Sequence, residues 1–273
     1  MSAITFAVVP SSLPGDRRVA MDSLCAALAA QLHTEVVGIL PASYAALAQL
    51  LERDRVQYAW MSPALMVLTS ERIQLQPLLS AVRNDRNDYC AALFVDAAGP
   101  AHDLEALRGR TVAWVDPASA SGYLVPRIHL AANGIDSSEL FGEELFLGSH
   151  AEVVRAVVSG RAALGATYAE QPAAGDPVRR AGFLDLAPDH PMRVLEWTQP
   201  FPNDVIVGHG LIAKADHRVF GNAVLTLAER VDGRRLLYNM FHTQRFMTTP
   251  RNALRPLWTL VEVARARGLF AQL

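Results

Sequence analysis

Short apolar runs alternate with longer amphipathic stretches along most of this chain, and the alternation starts over near residue 87. That rhythm is what most limits the fold. Apolar runs of about 4–8 residues suit buried strands, and spacing near 3.6 residues suits helices packed on them. Repeated strand–helix units lead to an α/β architecture with mainly parallel sheets. "ITFAVV" reads as a first strand, followed by a helix over about 17–32 with Val19, Met21, Leu24, Cys25, Leu28 and Leu32 on one face. "TEVVGI" and "VQYAWM" read as strands, with a short helix from Ser43 between them; Ser62-Pro63 then supplies a helix cap and first residue. "QPLLSAV" and "YCAALFV" close the first round.

The second round has "LEALRGR" as a short helix, "TVAWV" as a strand and a helix over about 121–132 stopped by Asn133-Gly134. "EELFL" is a strand, Ser149 caps a helix to about Ser159, and Gly160 ends it. "ALGATY", "RVLEW" and "VIVGHGLI" are further strands. The last third reads as helical over about 217–230, 233–241 and 251–267. The economical arrangement is two Rossmann-like lobes joined by a hinge. Residues 1–87 with 206–273 form one lobe and 88–205 the other, with a ligand cleft between them.

Composition narrows the function classes. The chain has 273 residues, a net charge of −2 and 51% hydrophobic residues. No basic surface or helix-turn-helix points to nucleic acid. No apolar stretch approaches the ~20 residues that cross a bilayer. Two cysteines, Cys25 and Cys90, are too few for a disulfide framework, and both read as buried thiols. The N-terminal stretch lacks the n-region and h-region of an export signal, so a cytoplasmic chain is expected, or a periplasmic one if it is a trimmed mature form. Nothing in the residues calls for a cofactor or metal, and a monomer is expected.

The segment "DPASASGYLVP" carries the strongest chemical signal. Small hydroxyl residues directly before a helix put Ser119, Ala120 and Ser121 where N–H groups are unpaired and the helix dipole is positive. Such a place suits an anion. In "GSHAEVV", Ser149 and His150 open a second helix, and the imidazole is able to donate to or accept from an oxyacid. Asp204 follows the proline-rich turn "PFPN" as a carboxylate acceptor. Tyr44 and Tyr89 open a helix and a strand, each with a hydroxyl on an apolar ring. Each feature also has an ordinary role as a cap, turn or core edge; their order in one chain is the distinguishing fact.

Taken in order, "SYAAL", "YCAALFV", "DPASASGYLVP", "GSHAEVVRAVVSGRAALGAT" and "PFPNDV" resemble the substrate-binding proteins of phosphonate/phosphite/phosphate ABC importers, from about Ile4 to Leu260. The resemblance implies a type 2 periplasmic-binding-protein fold. It implies an oxyanion cradle at Ser119, Ala120 and Ser121, a histidine donor at His150, an aromatic clamp of Tyr44 and Tyr89, and a carboxylate at Asp204. Where the family often has a hydroxyl, this chain has Ala120, which keeps only its backbone donor. Aminophosphonate binders carry an acidic residue just after the "GAT" position, where Thr167 and Tyr168 stand here. The resemblance therefore implies a small oxyanion: phosphite, phosphate or a simple phosphonate. An ABC permease or a signalling protein is the partner it implies.

Two other functions compete. A cytoplasmic enzyme on the same architecture is one, similar to menaquinone-pathway enzymes that lack export signals; Ser121, His150 and Asp204 are the residue types of a nucleophile, base and orienter, but Ser121 has no G-x-S-x-G elbow. A regulatory module whose domain closure is read by a protein partner is the other. Non-catalytic binding is the expectation that uses every marked residue.

Overall fold

A computed structural model describes residues 3–9, 16–174, 176–250 and 252–266. Three strand–helix steps come first. β1 (Ile4–Val8) leads to α1 (Arg17–Leu32), whose Asp16 carboxylate accepts from the N–H groups of Arg18 and Val19. β2 (Val36–Ile39) leads to α2 (Tyr44–Glu52), capped by Ser43; β3 (Tyr58–Met61) leads to α3 (Pro63–Thr69), capped by Ser62. In both, a serine oxygen takes one of the N–H groups that a helix start leaves unpaired. β4 (Leu75–Val82) and β5 (Asp88–Asp96) follow.

The second round runs through β6 (Thr111–Trp114), α4 (Val125–Ala132), α5 (Ser137–Leu140), β7 (Glu143–Phe146), α6 (His150–Val158), β8 (Leu164–Ala169), α7 (Gly182–Leu186), β9 (Met192–Trp197) and β10 (Phe201–Pro202). The chain then adds β11 (Val205–His209), α8 (Lys214–Glu229), α9 (Val231–Phe241), β12 (Arg245–Thr248) and α10 (Arg255–Ala266).

The strands form two sheets, ordered β12-β4-β11-β3-β1-β2 and β10-β5-β8-β6-β7, with β9 paired to β5. Contacts divide the chain into two compact units. The first holds the residues around β1 to Asp88 and Pro202–Leu257; the second holds Tyr89–Phe201 and the segment from Trp258. The expectation gave the whole C-terminal stretch to the first lobe, whereas α10 is shared between the two groupings from Trp258 on.

In the first unit β2, β1 and β3 are parallel and β11 runs antiparallel to β3. Every residue of β3 and β11 is buried, as expected for strands covered on both faces. Phe6, Tyr58 and Phe220 form its aromatic centre, with the Tyr58 and Phe220 rings stacked at 3.8 Å. Burying each such side chain stabilises the unit by ~1.5–3 kcal/mol. In the second unit β7, β6 and β8 are parallel and β5 runs antiparallel to β8. Phe94 meets Phe183 at 5.2 Å and Trp114 meets Tyr123 at 5.6 Å there.

Several elements differ from the sequence reading. "LEALRGR" yields only a 3-10 turn over Glu105–Leu107. The last third is not all helix: β12 pairs with the outer side of β4. The expected helix over 121–132 opens instead with a π turn, Ala120–Leu124, capped by Ser119. Pro126 is the physical reason. It has no N–H to give the Gly122 carbonyl four residues earlier, and that carbonyl accepts from Val115 N–H at 3.1 Å. The wider turn keeps the chain bonded, with Leu124 N–H reaching the Ser119 carbonyl at 2.9 Å. Neither cysteine is in a disulfide, and both are buried.

Candidate functional site

In open α/β sheets, ligands bind beyond the carboxyl ends of the strands, where the crossover direction reverses. Each unit has such a point, at β1 between β2 and β3 and at β6 between β7 and β8. The sequence-derived candidates fall on these two edges.

In the second unit the turn after β6 is built by local hydrogen bonds. Asp116 Oδ1 accepts from Ala118 N–H at 2.8 Å, and Ser119 N–H donates to the Asp116 carbonyl at 2.9 Å. Ser119 Oγ accepts from Gly122 N–H at 3.2 Å, so its lone pair serves the turn. Gly122 is required by close approach, because a β-carbon there would run into the Val115 side chain. Ser119, Ala120 and Ser121 are all buried. Among the described residues, the Ser121 hydroxyl and the N–H groups of Ala120 and Ser121 have no hydrogen-bond partner. Burial also raises the pKa of the adjacent Asp116 carboxyl, only partly offset by Ala118 N–H, which disfavours negative charge beside these donors.

His150 is the first residue of α6, beyond the end of β7, with Ser149 Oγ accepting from Glu152 N–H at 3.3 Å. Its Nδ1 lies 3.1 Å from Thr167 Oγ1 of β8, and its ring meets the Tyr168 ring edge-on at 5.1 Å. The imidazole is half-buried, and desolvation lowers its pKa to about 4, so it is neutral at physiological pH. Tyr89 opens β5. Because Cys90 pairs with Ala169, the last residue of β8, Tyr89 lies at the same edge as the turn and His150. Its ring packs on Phe201 at 4.4 Å.

In the first unit Tyr44 opens α2 beyond the end of β2 and is buried. Asp204 precedes β11, whose Val205 pairs with Met61 at the end of β3, so it lies at the carboxyl edge of that sheet. Asp204 is not an open acceptor: Arg83 Nη2 donates to its Oδ2 at 3.0 Å. The same guanidinium donates to Asn203 Oδ1 at 2.9 Å and to the Phe241 carbonyl at 3.0 Å. Arg17, in the first turn of α1, reaches back to the Val9 carbonyl at 2.9 Å. Burial lowers its pKa and Tyr44 opposes part of that, which leaves it a cation beside a candidate ligand group.

Five candidates are thus brought to one edge of the second unit: Tyr89, Ser119, Ala120, Ser121 and His150. Two, Tyr44 and Asp204, lie at the matching edge of the first. Sequence reasoning missed Arg83, Arg17 and the role of Thr167. Thr167 sits in the "GAT" segment of β8, which is buried at every position but Tyr168, so no alternation singles it out.

Comparisons with known proteins give the family and the fold. The sequence profile described as "ABC transporter, phosphonate, periplasmic substrate-binding protein" matches residues 6–251, and the chain belongs to that family. Among solved structures, XAC2383 from Xanthomonas citri bound to ATP superposes with a TM-score of 0.77 at 21% identity, covering 97% of this chain and 99% of that one. A binding-protein component of a phosphonate ABC transporter (PA3383) from Pseudomonas aeruginosa gives 0.82 at 18% identity, covering 96% and 86%. PhnD1 from Prochlorococcus marinus with methylphosphonate gives 0.79 at 16% identity, covering 96% and 98%. The fold is that of type 2 periplasmic binding proteins. Among the described residues, no helix is long and apolar enough to cross a membrane.

Proposed function

We propose that this protein binds a small phosphorus oxyanion (phosphite, phosphate or a simple phosphonate) without transforming it, and delivers it to an ABC permease. The observation that carries this reading is the buried turn at Ala120 and Ser121, with its unpaired hydroxyl and N–H donors. Burying a charged ligand is costly unless each oxygen is hydrogen-bonded, and this turn offers donors that need no counter-charge. His150 and Tyr89 add donors on the same edge of the second unit, and the family resemblance implies ligand roles for Tyr44 and Asp204 at the edge of the first. The partners of the imagined triad favour binding over catalysis: His150 Nδ1 faces Thr167 rather than a carboxylate, and Asp204 is held by Arg83.

Isothermal titration with phosphite, phosphate, methylphosphonate and ATP tests the proposal. One of the first three is expected to bind, and Ser121→Ala is expected to weaken it by about 1–3 kcal/mol, the worth of a hydrogen bond to a charged group. No heat from those three at millimolar concentration sinks the reading; heat from ATP alone moves the ligand class to nucleotides.

A further inference from the structure

We propose that Thr167 is a positioning residue that donates its hydroxyl proton to His150 Nδ1, so that the imidazole presents Nε2–H to the ligand and the site takes a deprotonated oxygen there. The inference rests on the oxyanion-binding reading and adds which ionisation state of the ligand the site selects.

The argument is a count of protons. Thr167 is fully buried in β8, and among the described residues His150 Nδ1 is the partner of its Oγ1. If Nδ1 carried the proton and donated to Oγ1, the threonine's own proton would be left unpaired in a sealed place, which folds avoid. If Thr167 donates, both groups are satisfied and the ring proton sits on Nε2. Desolvation keeps the ring neutral, so the doubly protonated form does not compete. Gly182, first residue of α7, fixes the threonine from the other side: a β-carbon there would overlap Thr167 Oγ1. Among the described residues Nε2 has no hydrogen-bond partner and stays available.

The surrounding titratable groups leave this assignment intact. From β8, Tyr168 meets the ring edge-on and donates its hydroxyl to Asp185 Oδ2 of α7 at 2.9 Å. Arg180 lies over the Tyr168 ring at 6.0 Å and pairs with Glu170 at 2.9 Å. On α6 itself Glu152 is paired with Arg155. β6, with the sequence TVAW, brings no titratable group.

Long-range proton–nitrogen correlation spectra of the full chain, with His150 assigned by comparison with His150→Gln, read the tautomer without ligand. The expected result is an unprotonated Nδ1 and a protonated Nε2; the reverse overturns the proposal. Titration with methylphosphonate from about pH 5.5 to 8, across the second ionisation of a phosphorus oxyacid, reads the consequence. Wild type is expected to bind more tightly as that proton leaves. Thr167→Val is expected to weaken binding about tenfold and flatten the profile, and Thr167→Ser to restore both. A Thr167→Val protein that is folded and keeps the wild-type profile overturns the proposal. Failure of wild type to bind at all removes the phosphonate reading, while the nitrogen spectrum still decides the tautomer.

Discussion

The two units share one wiring and differ in the chemistry placed on it. β2-β1-β3 in the first and β7-β6-β8 in the second are parallel trios, each flanked by an antiparallel strand beside its last member, β11 or β5. The carboxyl edge of the first unit carries charge: the Arg17 guanidinium, bonded to the Val9 carbonyl just past β1, and the Arg83–Asp204 pair beside β3. The edge of the second offers mainly neutral donors, serine hydroxyls, backbone N–H groups and a neutral imidazole, with the Asp116 carboxyl beside them and a Glu170–Arg180 pair just past β8. Topology therefore decides where a ligand is met, and side chains decide how. An edge of neutral donors suits an anion that must be released again, because no buried ion pair has to be broken. The charged edge spends its main cation internally, on Asp204, Asn203 and Phe241.

The strongest way to break this contrast is to remove that internal cation. Arg83→Met strands the Asp204 carboxylate, the Asn203 amide oxygen and the Phe241 carbonyl together. Removing one partner of a largely buried pair costs about 3 kcal/mol or more. Equilibrium urea unfolding is expected to show that loss, and the Asp204→Asn variant, which keeps Arg83 on two of its three acceptors, a smaller one. A loss below about 1 kcal/mol for Arg83→Met, the usual worth of an exposed pair, would mean that the charged edge is only a solvated surface.

The neutral edge is sharpened by acid. His150 has a pKa near 4 in the fold against 6.5 when exposed. Between those values the unfolded chain takes up a proton that the folded one refuses. The contribution is therefore fully present above about pH 6.5 and is lost as pH falls toward 4, by on the order of 2–3 kcal/mol. Burial also lowers the pKa of His217 in the first unit, so the test is a difference. Wild type minus His150→Gln is expected to lose stability through that window, and a flat difference would mean that the ring is solvated and free to charge.

How far the sequence revealed this molecule follows the range of the interactions involved. The parallel trios were legible because most of their strands are short, largely apolar runs and three of their helices start on Ser43, Ser62 and Ser149, which bond within the next turn. β12 was not, since "RFMT" is a short outer strand with polar, exposed residues at both ends and no alternation. The π turn comes from Pro126, a residue in plain view whose missing N–H shifts bonds four and five residues away. The candidate residues were found as helix-start and strand-start signals, which are local. Their partners were not: Thr167 is 17 residues from His150, and Arg83 is 121 from Asp204. Such pairings depend on strand order, which local patterns do not encode.

The smallest expected effect concerns the one group that the two units treat alike. Cys25 lies on the buried face of α1 in the first unit and Cys90 in β5 of the second, both buried thiols outside any disulfide. Burial pushes the Cys25 thiol up to about 11, so almost none of it is thiolate near pH 8. The Cys90 thiol donates to the Ala169 carbonyl at 3.3 Å within its sheet. A thiol reagent such as Ellman's is expected to label neither in the native protein and both in urea. If labelling instead proceeds in two separate steps as urea rises, the two units unfold independently, and their different edges rest on different stabilities as well as different chemistry.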